Sequence, residues 1–186
     1  MAFTNTPPGI PPWGGKKAYF GTNPVAFAFP GKNRPVVIDM SSSTVARGNI
    51  ILAAREGKPI PEGWAIDGQG RPTTDARAAL EGAVLPMAGP KGYAMALAVE
   101  ILSGVLSGSA YGPRVGWIYD DSTEPVDIGH FFLAVDIDKL MPLDRFLDRM
   151  DHMVREIKSS PRAEGIEEIF IPGERRFNTA ERRSRE

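Results

Sequence analysis

The sequence predicts an α/β fold in which a mixed sheet is flanked by helices. Two short runs, 25–29 (VAFAF) and 35–39 (PVVID), have the length and composition of strands. Two longer segments, 92–106 and 142–158, repeat apolar residues every three or four positions, as a helix with a buried face does. Strand-like and helix-like segments are mixed along the chain, which places it in the α/β or α+β class, and we favour α/β.

Composition excludes several classes of function. The 186 residues include no cysteine, so disulfides, thiolate metal ligands and cysteine nucleophiles are excluded. Two histidines argue against an all-histidine zinc site, and we predict no metal centre. A net charge of −1 gives no reason to expect a nucleic-acid partner. No apolar run reaches membrane-spanning length and no secretory signal is visible, so we predict a cytoplasmic protein without a membrane partner.

The start of the chain predicts a stiff connector followed by a β-hairpin. Residues 7–15 (PPGIPPWGG) predict an extended connector, because proline at this density is excluded from helix interiors and central strands, and the alternative is a rigid surface loop. Turn-forming residues at 30–33 join the two predicted strands. One of the hydroxyl residues 41–44 is expected to cap a helix over about 45–56, which Gly57 ends.

The middle of the chain predicts a long loop and then a buried helix. Residues 57–75 are rich in Gly, Pro, Asp and Thr, and predict an irregular loop around Trp64. The segment 92–106 is the clearest helix, and Glu100 is its only charged residue. A helix that is apolar nearly all round is buried in a core or at a subunit interface. The expected apolar stripe is Ala94, Leu97, Ala98, Ile101 and Val105.

The last third predicts a polar loop over 109–127 and a strand over 130–137, whose apolar composition suits the centre of a sheet. Pro142 opens a helix that runs to about Lys158. A short strand over 166–171 precedes a charged C-terminal tail, 173–186, which we expect as an exposed helix or a frayed end. The helix presents one apolar face, formed by Phe146, Met150, Met153 and Ile157.

Two turns are candidates for binding an anion. Asp39, Met40 and Ser41 lie where a strand gives way to a helix, whose free backbone N–H groups attract phosphate, and Asp39 can accept hydrogen bonds from ribose or nicotinamide groups. The alternative is that the serines only cap the helix. Lys91, in the glycine-flanked turn 89–92, can hold a pyrophosphate or a substrate carboxylate as a point charge, or be a solvated turn lysine.

Two further sites carry charged groups near turns. The corner 172–176 (PGERR) combines a glycine with arginines that can contact phosphate, or is a solvated chain end. Asp67, in the loop with Trp64, can orient a catalytic histidine or occupy a turn with Gly68. His130 begins an apolar strand and His152 lies on the polar side of a helix, so neither is assigned a catalytic role.

Several short motifs, in their order and spacing, resemble the malate/L-lactate dehydrogenase family, whose members lack a standard Rossmann fold. Each motif is weak alone, but together they cover nearly the whole chain. The motifs are FGTNP (20–24), DMS (39–41), VARGNI (45–50), GKPIPEGWA (57–65), PTTD (72–75), KGY (91–93), GHFF (129–132) and PGER (172–175).

The resemblance implies a homodimeric oxidoreductase that transfers a hydride between NAD or NADP and a small 2-hydroxy or 2-oxo acid. Asp67 would be the partner of the catalytic acid/base. The residues that the resemblance places on the cofactor are Thr6, Asp39, Met40, Ser41, Lys91, Pro172, Gly173, Glu174, Arg175 and Arg176.

One departure from the family pattern affects the expected activity. The resemblance implies a helical segment before the stretch that contains Thr6, and that segment carries the acid/base histidine. This chain begins inside the pattern, so we treat it as N-terminally truncated, with 1–186 as the cofactor-binding region. Three alternatives stay open: a non-catalytic remnant or dimerisation module, an imine reductase of the Δ1-piperideine-2-carboxylate type, and a phosphate-ligand binder without redox chemistry.

Overall fold

A computed structural model describes residues 1–117 and 124–186, and the chain divides into two compact units. The central unit contains Ala2–Val25 and Met40–Phe132, and the C-terminal unit contains Met1, Ala26–Asp39 and Leu133–Glu186. Each unit combines helices and strands, which confirms the α/β class. No helix within the described ranges is long and apolar enough to cross a bilayer. Part of the predicted loop over 109–127 lies outside the described residues.

The secondary structure consists of short strands and five α-helices in the described chain. The strands are β1 (Ala2–Thr4), β2 (Val25–Phe29), β3 (Val36–Met40), β4 (Ala65–Ile66), β5 (Pro72–Thr73), β6 (Ala83–Val84) and β7 (His130–Phe132). The helices are α1 (Arg47–Glu56), α2 (Ala76–Glu81), α3 (Pro90–Glu100), α4 (Leu143–Ser159) and α5 (Glu174–Arg183). A π-helical turn, Ile101–Val105, continues α3, and 3-10 turns occupy Gly112–Arg114 and Ile137–Lys139.

The core of the central unit lies between α1, α2 and an antiparallel sheet of order β5-β4-β6. Ala65 lies opposite both Thr73 and Val84 at the centre of this sheet. Small side chains allow the two helices to approach it closely, and burial of this apolar surface is the main stabilising term. The buried cluster is Ile50, Ala54, Ile60, Ala65, Ala76, Ala79 and Val84.

The connector 7–15 is buried at residues 9–11 and exposed at 13–15, so the alternative of a rigid surface loop is wrong for its middle part. Ile10 is fully buried and forms an antiparallel bridge with Phe20. The N–H groups of Gly9 and Ile10 both donate to the carbonyl oxygen of Phe20. Ile10 and Phe20 pack with Ala96 of α3 in a second core cluster. Proline excludes this stretch from a regular strand but still lets a single apolar side chain anchor it.

The predicted irregular loop 57–75 contains the hairpin β4–β5, so that prediction is wrong in part. Strands of two residues are too short to display the alternation by which a strand is recognised. The predicted cap of α1 is also wrong. Ala46 occupies the N-cap position without a side-chain bond, although the predicted end holds, because Gly57 adopts a left-handed conformation with φ of 65°.

Within this chain the long helix buries a face other than its apolar stripe, so burial of the stripe at a subunit interface stays a prediction. Gly92, Ala96, Val99 and Glu100 are buried, while the predicted stripe is exposed. Leu97, Ile101 and Val105 are 36%, 47% and 54% exposed in this chain. The buried face carries small residues and Glu100. These let neighbouring segments lie close to the helix and form hydrogen bonds with it. The apolar stripe from Ala94 to Val105 is therefore uncovered within this chain.

The C-terminal unit consists of the neighbouring strands β2 and β3, the helices α4 and α5, and the segments that join them. The predicted strands over 25–29 and 35–39 and the helix after Pro142 are confirmed within one residue. The strand predicted over 166–171 is absent from this fully described segment. No residue of this unit reaches full burial, and Met153 and Ile157, on the apolar face of α4, remain 45% and 40% exposed.

The strand predicted over 130–137 is only three residues long and is not central. β7 pairs with β1 alone among the described strands, with Thr4 opposite His130, and Phe132 is 74% exposed. The chain leaves the sheet at Leu133 and enters the C-terminal unit. An apolar run therefore marks the passage between two units here, rather than a buried strand.

We predict that Gly129→Ala destabilises the central unit by roughly 1–3 kcal/mol or more, through overpacking. A Cβ atom at Gly129 would overlap the carbonyl oxygen of Ser103, which is backbone and has little room to move. Gly48→Ala is the matched control, because nothing lies within 4 Å of its Cβ position in α1, and we expect it to stabilise by about 0.5–1 kcal/mol. Urea unfolding of both variants measures the difference, and equal stabilities would contradict the packing.

Candidate functional site

The residues predicted to form the site fall into two sets, one in each unit. Asp39 and the corner Pro172–Arg176 belong to the C-terminal unit. Met40, Ser41, Lys91, Thr6 and Asp67 belong to the central unit. Asp39 and Met40 are consecutive residues, so the chain passes from one unit to the other inside the predicted motif.

In the C-terminal unit the end of β3 and the Pro172–Arg176 corner meet. The N–H of Val37 donates to the carbonyl oxygen of Pro172 over 3.4 Å. Gly173 has φ of 89°, and a Cβ there would lie 2.8 Å from the carbonyl oxygen of Val37. The close approach and the positive φ both require glycine. Arg176 donates to the Asp39 carboxylate from 137 positions away, so two of the predicted motifs share one contact.

Glu174 holds this corner in place. It accepts hydrogen bonds from Lys158 Nζ at 2.5 Å and from the Ile171 N–H at 3.0 Å. The bond from Lys158 is the main reason that the pKa of Glu174 lies below its ordinary value, with the Ile171 N–H second. Lys158 also bonds Glu168 at 3.0 Å. Both oxygens of the Glu174 carboxylate therefore already accept hydrogen bonds from Lys158 and Ile171, which disfavours the predicted direct contact between this carboxylate and a ligand.

The groups that a ligand can reach at this corner are one acid and two cations. The side chains of Asp39 and Arg176 are 43% and 70% exposed, and Arg175 lies over the ring of Phe170 at 4.4 Å. A cavity of about 200 Å³ lies within the same unit. Its wall is partly apolar and its rim carries cationic side chains. Lining residues include Lys32, Arg34, Val36, Val154, Pro172 and Phe177.

In the central unit the turn after β3 lies against the segment that leads to Lys91. The Ser42 N–H donates to the Thr22 carbonyl at 2.8 Å, and the Met87 N–H donates to the Ser42 carbonyl at 2.9 Å. The hydroxyls of Ser41 and Ser43 lie 2.9 Å apart, and Ser43 donates to the Val45 carbonyl. None of these hydroxyls caps α1, so the capping explanation of the motif is wrong.

Lys91 stands at the exposed first turn of α3. Gly89 precedes it with φ of 62°, and the ring of Trp13 lies 3.0 Å from the position of a Cβ at Gly89. No ion pair joins Lys91 to another residue in the described part of the chain. Its charge is therefore available beside a glycine turn that an indole ring covers from one side.

Thr6 is fixed by a buried polar network. Its N–H donates to Asn23 Oδ1 at 3.1 Å. Asn23 in turn donates to the Ala96 carbonyl at 2.9 Å and to Glu100 at 2.6 Å. Glu100, only 2% exposed, also accepts the Gly112 N–H at 2.6 Å. The segment that carries Thr6 is thereby linked to α3 through Asn23.

Asn5 extends the same network. It donates to the Ala110 carbonyl at 2.7 Å and accepts the Gly129 N–H at 2.8 Å. Sequence reasoning missed the structural importance of Asn5, Asn23 and Glu100. One usable signal was Glu100 as the single charge in an otherwise apolar helix, since a buried polar group must find partners.

Asp67 closes the turn of the β4–β5 hairpin. Its carboxylate accepts the Gln69 N–H at 2.9 Å, the Arg71 N–H at 3.0 Å and Arg71 Nε at 3.0 Å. The Arg71 backbone bond is the main reason that the pKa of Asp67 lies below its ordinary value. These bonds account for Asp67 as a turn residue, and its role beside an acid/base stays a prediction.

Each unit by itself offers groups of the kind that phosphate and ribose bind. Arg175, Arg176 and Lys91 supply positive charge, and serine hydroxyls follow the end of β3. Asp39 supplies an acceptor suited to ribose hydroxyls, and glycine at 89 and 173 permits close approach. Phosphate favours such charge-assisted donors.

A family model described as malate/L-lactate dehydrogenase matches residues 1–186. The (2R)-3-sulfolactate dehydrogenase (NADP(+)) of Chromohalobacter salexigens is 42% identical over 177 residues, which are 95% of this chain and 51% of the relative. The ureidoglycolate dehydrogenase (NAD(+)) of Escherichia coli K12 is 33% identical over 94% of this chain and 50% of the relative. This chain therefore spans about half the length of these relatives.

The fold agrees with that of a solved relative. The sulfolactate dehydrogenase of Methanocaldococcus jannaschii matches with a TM-score of 0.89 and 42% identity, covering 98% of this chain and 52% of that one. The agreement extends over both units described above.

We predict that acid loosens the Pro172–Arg176 corner. Glu174 has a folded-state pKa below its ordinary value of 4.5, so its contribution is complete above that pH and is lost as the pH falls through the folded pKa. Amide exchange of α5, measured from about pH 7 to about pH 3, should accelerate below the ordinary Glu pKa. Glu174→Gln should remove this step, and Glu164→Gln, at an exposed loop position, should retain it. An unchanged profile in Glu174→Gln would contradict the assignment.

Proposed function

Because the chain belongs to the malate/L-lactate dehydrogenase family, we propose that it is the cofactor-binding part of a NAD(P)-dependent oxidoreductase acting on small 2-hydroxy or 2-oxo acids. The observation that carries the proposal is the contact between Asp39 and Arg176, which joins two distant motifs of the family pattern. The sulfolactate and ureidoglycolate dehydrogenases among its relatives support the class of substrate and cofactor.

The residues of this chain would bind and orient the cofactor. Arg175 and Arg176 would bind phosphate at the Pro172–Arg176 corner, and Asp39 would accept bonds from a ribose. Ser41 and Lys91 would offer a hydroxyl and a cation in the central unit, with Met40 beside them and Thr6 held by Asn23. Pro172, Gly173 and Glu174 would shape the corner rather than react. The bound nicotinamide would supply hydride exchange with C2 of the acid.

Proton transfer to the substrate oxygen needs an acid/base group. We assign this role to neither His130, which bonds Thr4 at 2.9 Å, nor His152, which lies 3.5 Å from Glu156 on the surface of α4. Asp67 is retained as the proposed orienting partner of that group. Its two backbone bonds would fix the carboxylate, and the further donor would take the place of the Arg71 guanidinium on the other carboxylate oxygen.

We also propose that the protein is a cytoplasmic homodimer. The apolar stripe of α3 and the π-helical turn supports self-association, because a helix stripe of this kind is stable in water only when covered. Leu97, Ile101 and Val105 would form its centre.

The first test is direct binding of the cofactor to the intact chain. NADH and NADPH are each titrated while indole emission is recorded, and Trp13 over Gly89 is placed to report binding near Lys91. We expect saturable binding, and Lys91→Met should weaken it about tenfold by removing a charge-assisted contact. Lys17→Met, at an exposed position two residues after the connector, is the matched control. No saturable signal with either nucleotide would refute the proposed function.

The second test is the oligomeric state. Ile101→Glu places a charge in the middle of the exposed stripe, and we expect it to shift a dimer to monomer in light scattering at micromolar concentration. Leu52→Glu on α1, at a site that is 54% exposed, is the control and should leave the dimer intact. A wild-type chain that is monomeric throughout, or an Ile101→Glu dimer, would overturn the proposed interface.

A further inference from the structure

We propose that α4 carries a second self-association surface, on which the α4 helices of two chains pack antiparallel about a two-fold axis beside Met153. This surface lies wholly within the C-terminal unit. It is therefore separate from the α3 stripe, which belongs to the central unit, and it does not depend on a bound cofactor. The partner is a second copy of this chain, held by apolar contacts and by two reciprocal ion pairs.

The apolar face of α4 has the spacing of a helix-pairing surface. Phe146, Met150, Met153 and Ile157 follow one another at intervals of four, three and four residues. Apolar residues at such alternating intervals form the contact line of a two-stranded coiled coil. Met153 and Ile157 are 45% and 40% exposed, so the unit that contains them covers them incompletely. The outer part of this face is therefore available to a second helix.

A groove runs along the same side of α4. Its volume is about 440 Å³, and its walls combine apolar side chains with charged ones. Three of the lining residues are methionines, whose flexible side chains adapt to the surface of a partner. Lining residues include Met141, Phe146, Arg149, Met150, Met153 and Glu156.

Two charged groups beside this groove lack a strong partner within the chain. No ion pair joins Arg149 to another residue of the described ranges. Glu156 is 67% exposed and lies 3.5 Å from His152, a contact that is an ion pair only when the histidine is protonated. Asp151, by contrast, is already paired with Arg155. Arg149 and Glu156 are thus available to an approaching helix.

The positions of these two charges select an antiparallel partner. Arg149 and Glu156 are seven residues apart, one on each side of Met153, so they lie on one face of α4 about two turns apart. At that distance they do not pair within one helix. In an antiparallel pair, Arg149 lies opposite the partner's Glu156, and Glu156 lies opposite the partner's Arg149. Parallel helices would instead bring identical charges to the same level, which is unfavourable.

The contact is small, so we expect weak association. A helix of 17 residues with four apolar contact residues covers less than the roughly 800 Å² per partner of a standard interface. Ion pairs at an exposed rim determine orientation more than they add affinity. We expect a Kd of the order of 0.1 mM, well above the micromolar range in which the α3 stripe is tested. Two of the proposed dimers would thus join only in concentrated solution.

The experiment is sedimentation equilibrium of the intact chain from about 5 µM to about 0.5 mM, in wild type and in Ile101→Glu. Ile101→Glu removes the α3 interface, and in that background we expect monomer to convert to dimer as concentration rises. Met153→Glu, added to it, should weaken this association more than about tenfold, because it places a charge in the apolar contact. Arg155→Glu, on the opposite side of α4, is the control and should leave the Kd unchanged.

Charge reversal tests the antiparallel arrangement. Arg149→Glu and Glu156→Arg should each weaken association about tenfold, because each places like charges opposite one another, and the double variant should restore it. Restoration cannot arise within one helix, where the two positions do not touch.

Three outcomes would overturn the inference. They are a chain that does not associate through α4 up to about 0.5 mM, association that Met153→Glu leaves unchanged, and a double charge reversal that fails to restore the Kd. The first two would leave the face to a partner other than a second copy. Cofactor titration reports on the proposed function separately, so failure of either experiment leaves the other intact.

Discussion

The described structure of the central unit depends on a buried carboxylate that bonds to two donors. Glu100 accepts from Asn23 and from the backbone of Gly112, each at 2.6 Å, at a site that water hardly reaches. A buried acceptor with satisfied bonds is tolerated, but removal of one partner exposes the full desolvation cost of the other. Asn23 is itself held at φ of 37° and bonded to Thr6, so one interaction fixes the helix, the Gly21–Asn23 turn and the segment that carries Thr6.

The same interaction explains why α3 buries a face other than its apolar stripe within this chain. The sequence places one charge in an apolar helix, and the usual inference points that charge at solvent. Here the Glu100 side chain points inward and accepts hydrogen bonds from Asn23 and from the Gly112 N–H. Leu97 and Ile101 therefore face outward. The π-helical turn that follows keeps Ser103 and Gly104 on the inner side. The hydrogen-bond partners of Glu100 lie outside α3, so the sequence of the helix alone does not predict them.

Other features were predictable because they depend on neighbouring residues only. The hairpin β2–β3, the left-handed stop at Gly57 and the amphipathic α4 follow from turn chemistry and periodicity. The turn at the end of β3 and the Pro172–Arg176 corner were each predicted to bind a ligand, but the ion pair between Asp39 and Arg176 joins residues 137 positions apart and has no local signature. The role of Glu174 as an internal anchor was missed for the same reason, since Lys158 comes from a different helix.

The C-terminal unit described above contains two helices and a strand pair, yet no fully buried residue. Ordering of the backbone costs roughly 1–2 kcal/mol per residue, which side chains that stay half in water offset poorly. We expect such a unit to gain much of its folding stability from association of another surface with the apolar face of α4. Folding and association then become a single equilibrium, so the melting temperature should rise with protein concentration, and a substitution on the open face of α4 should appear first as a change in that concentration dependence.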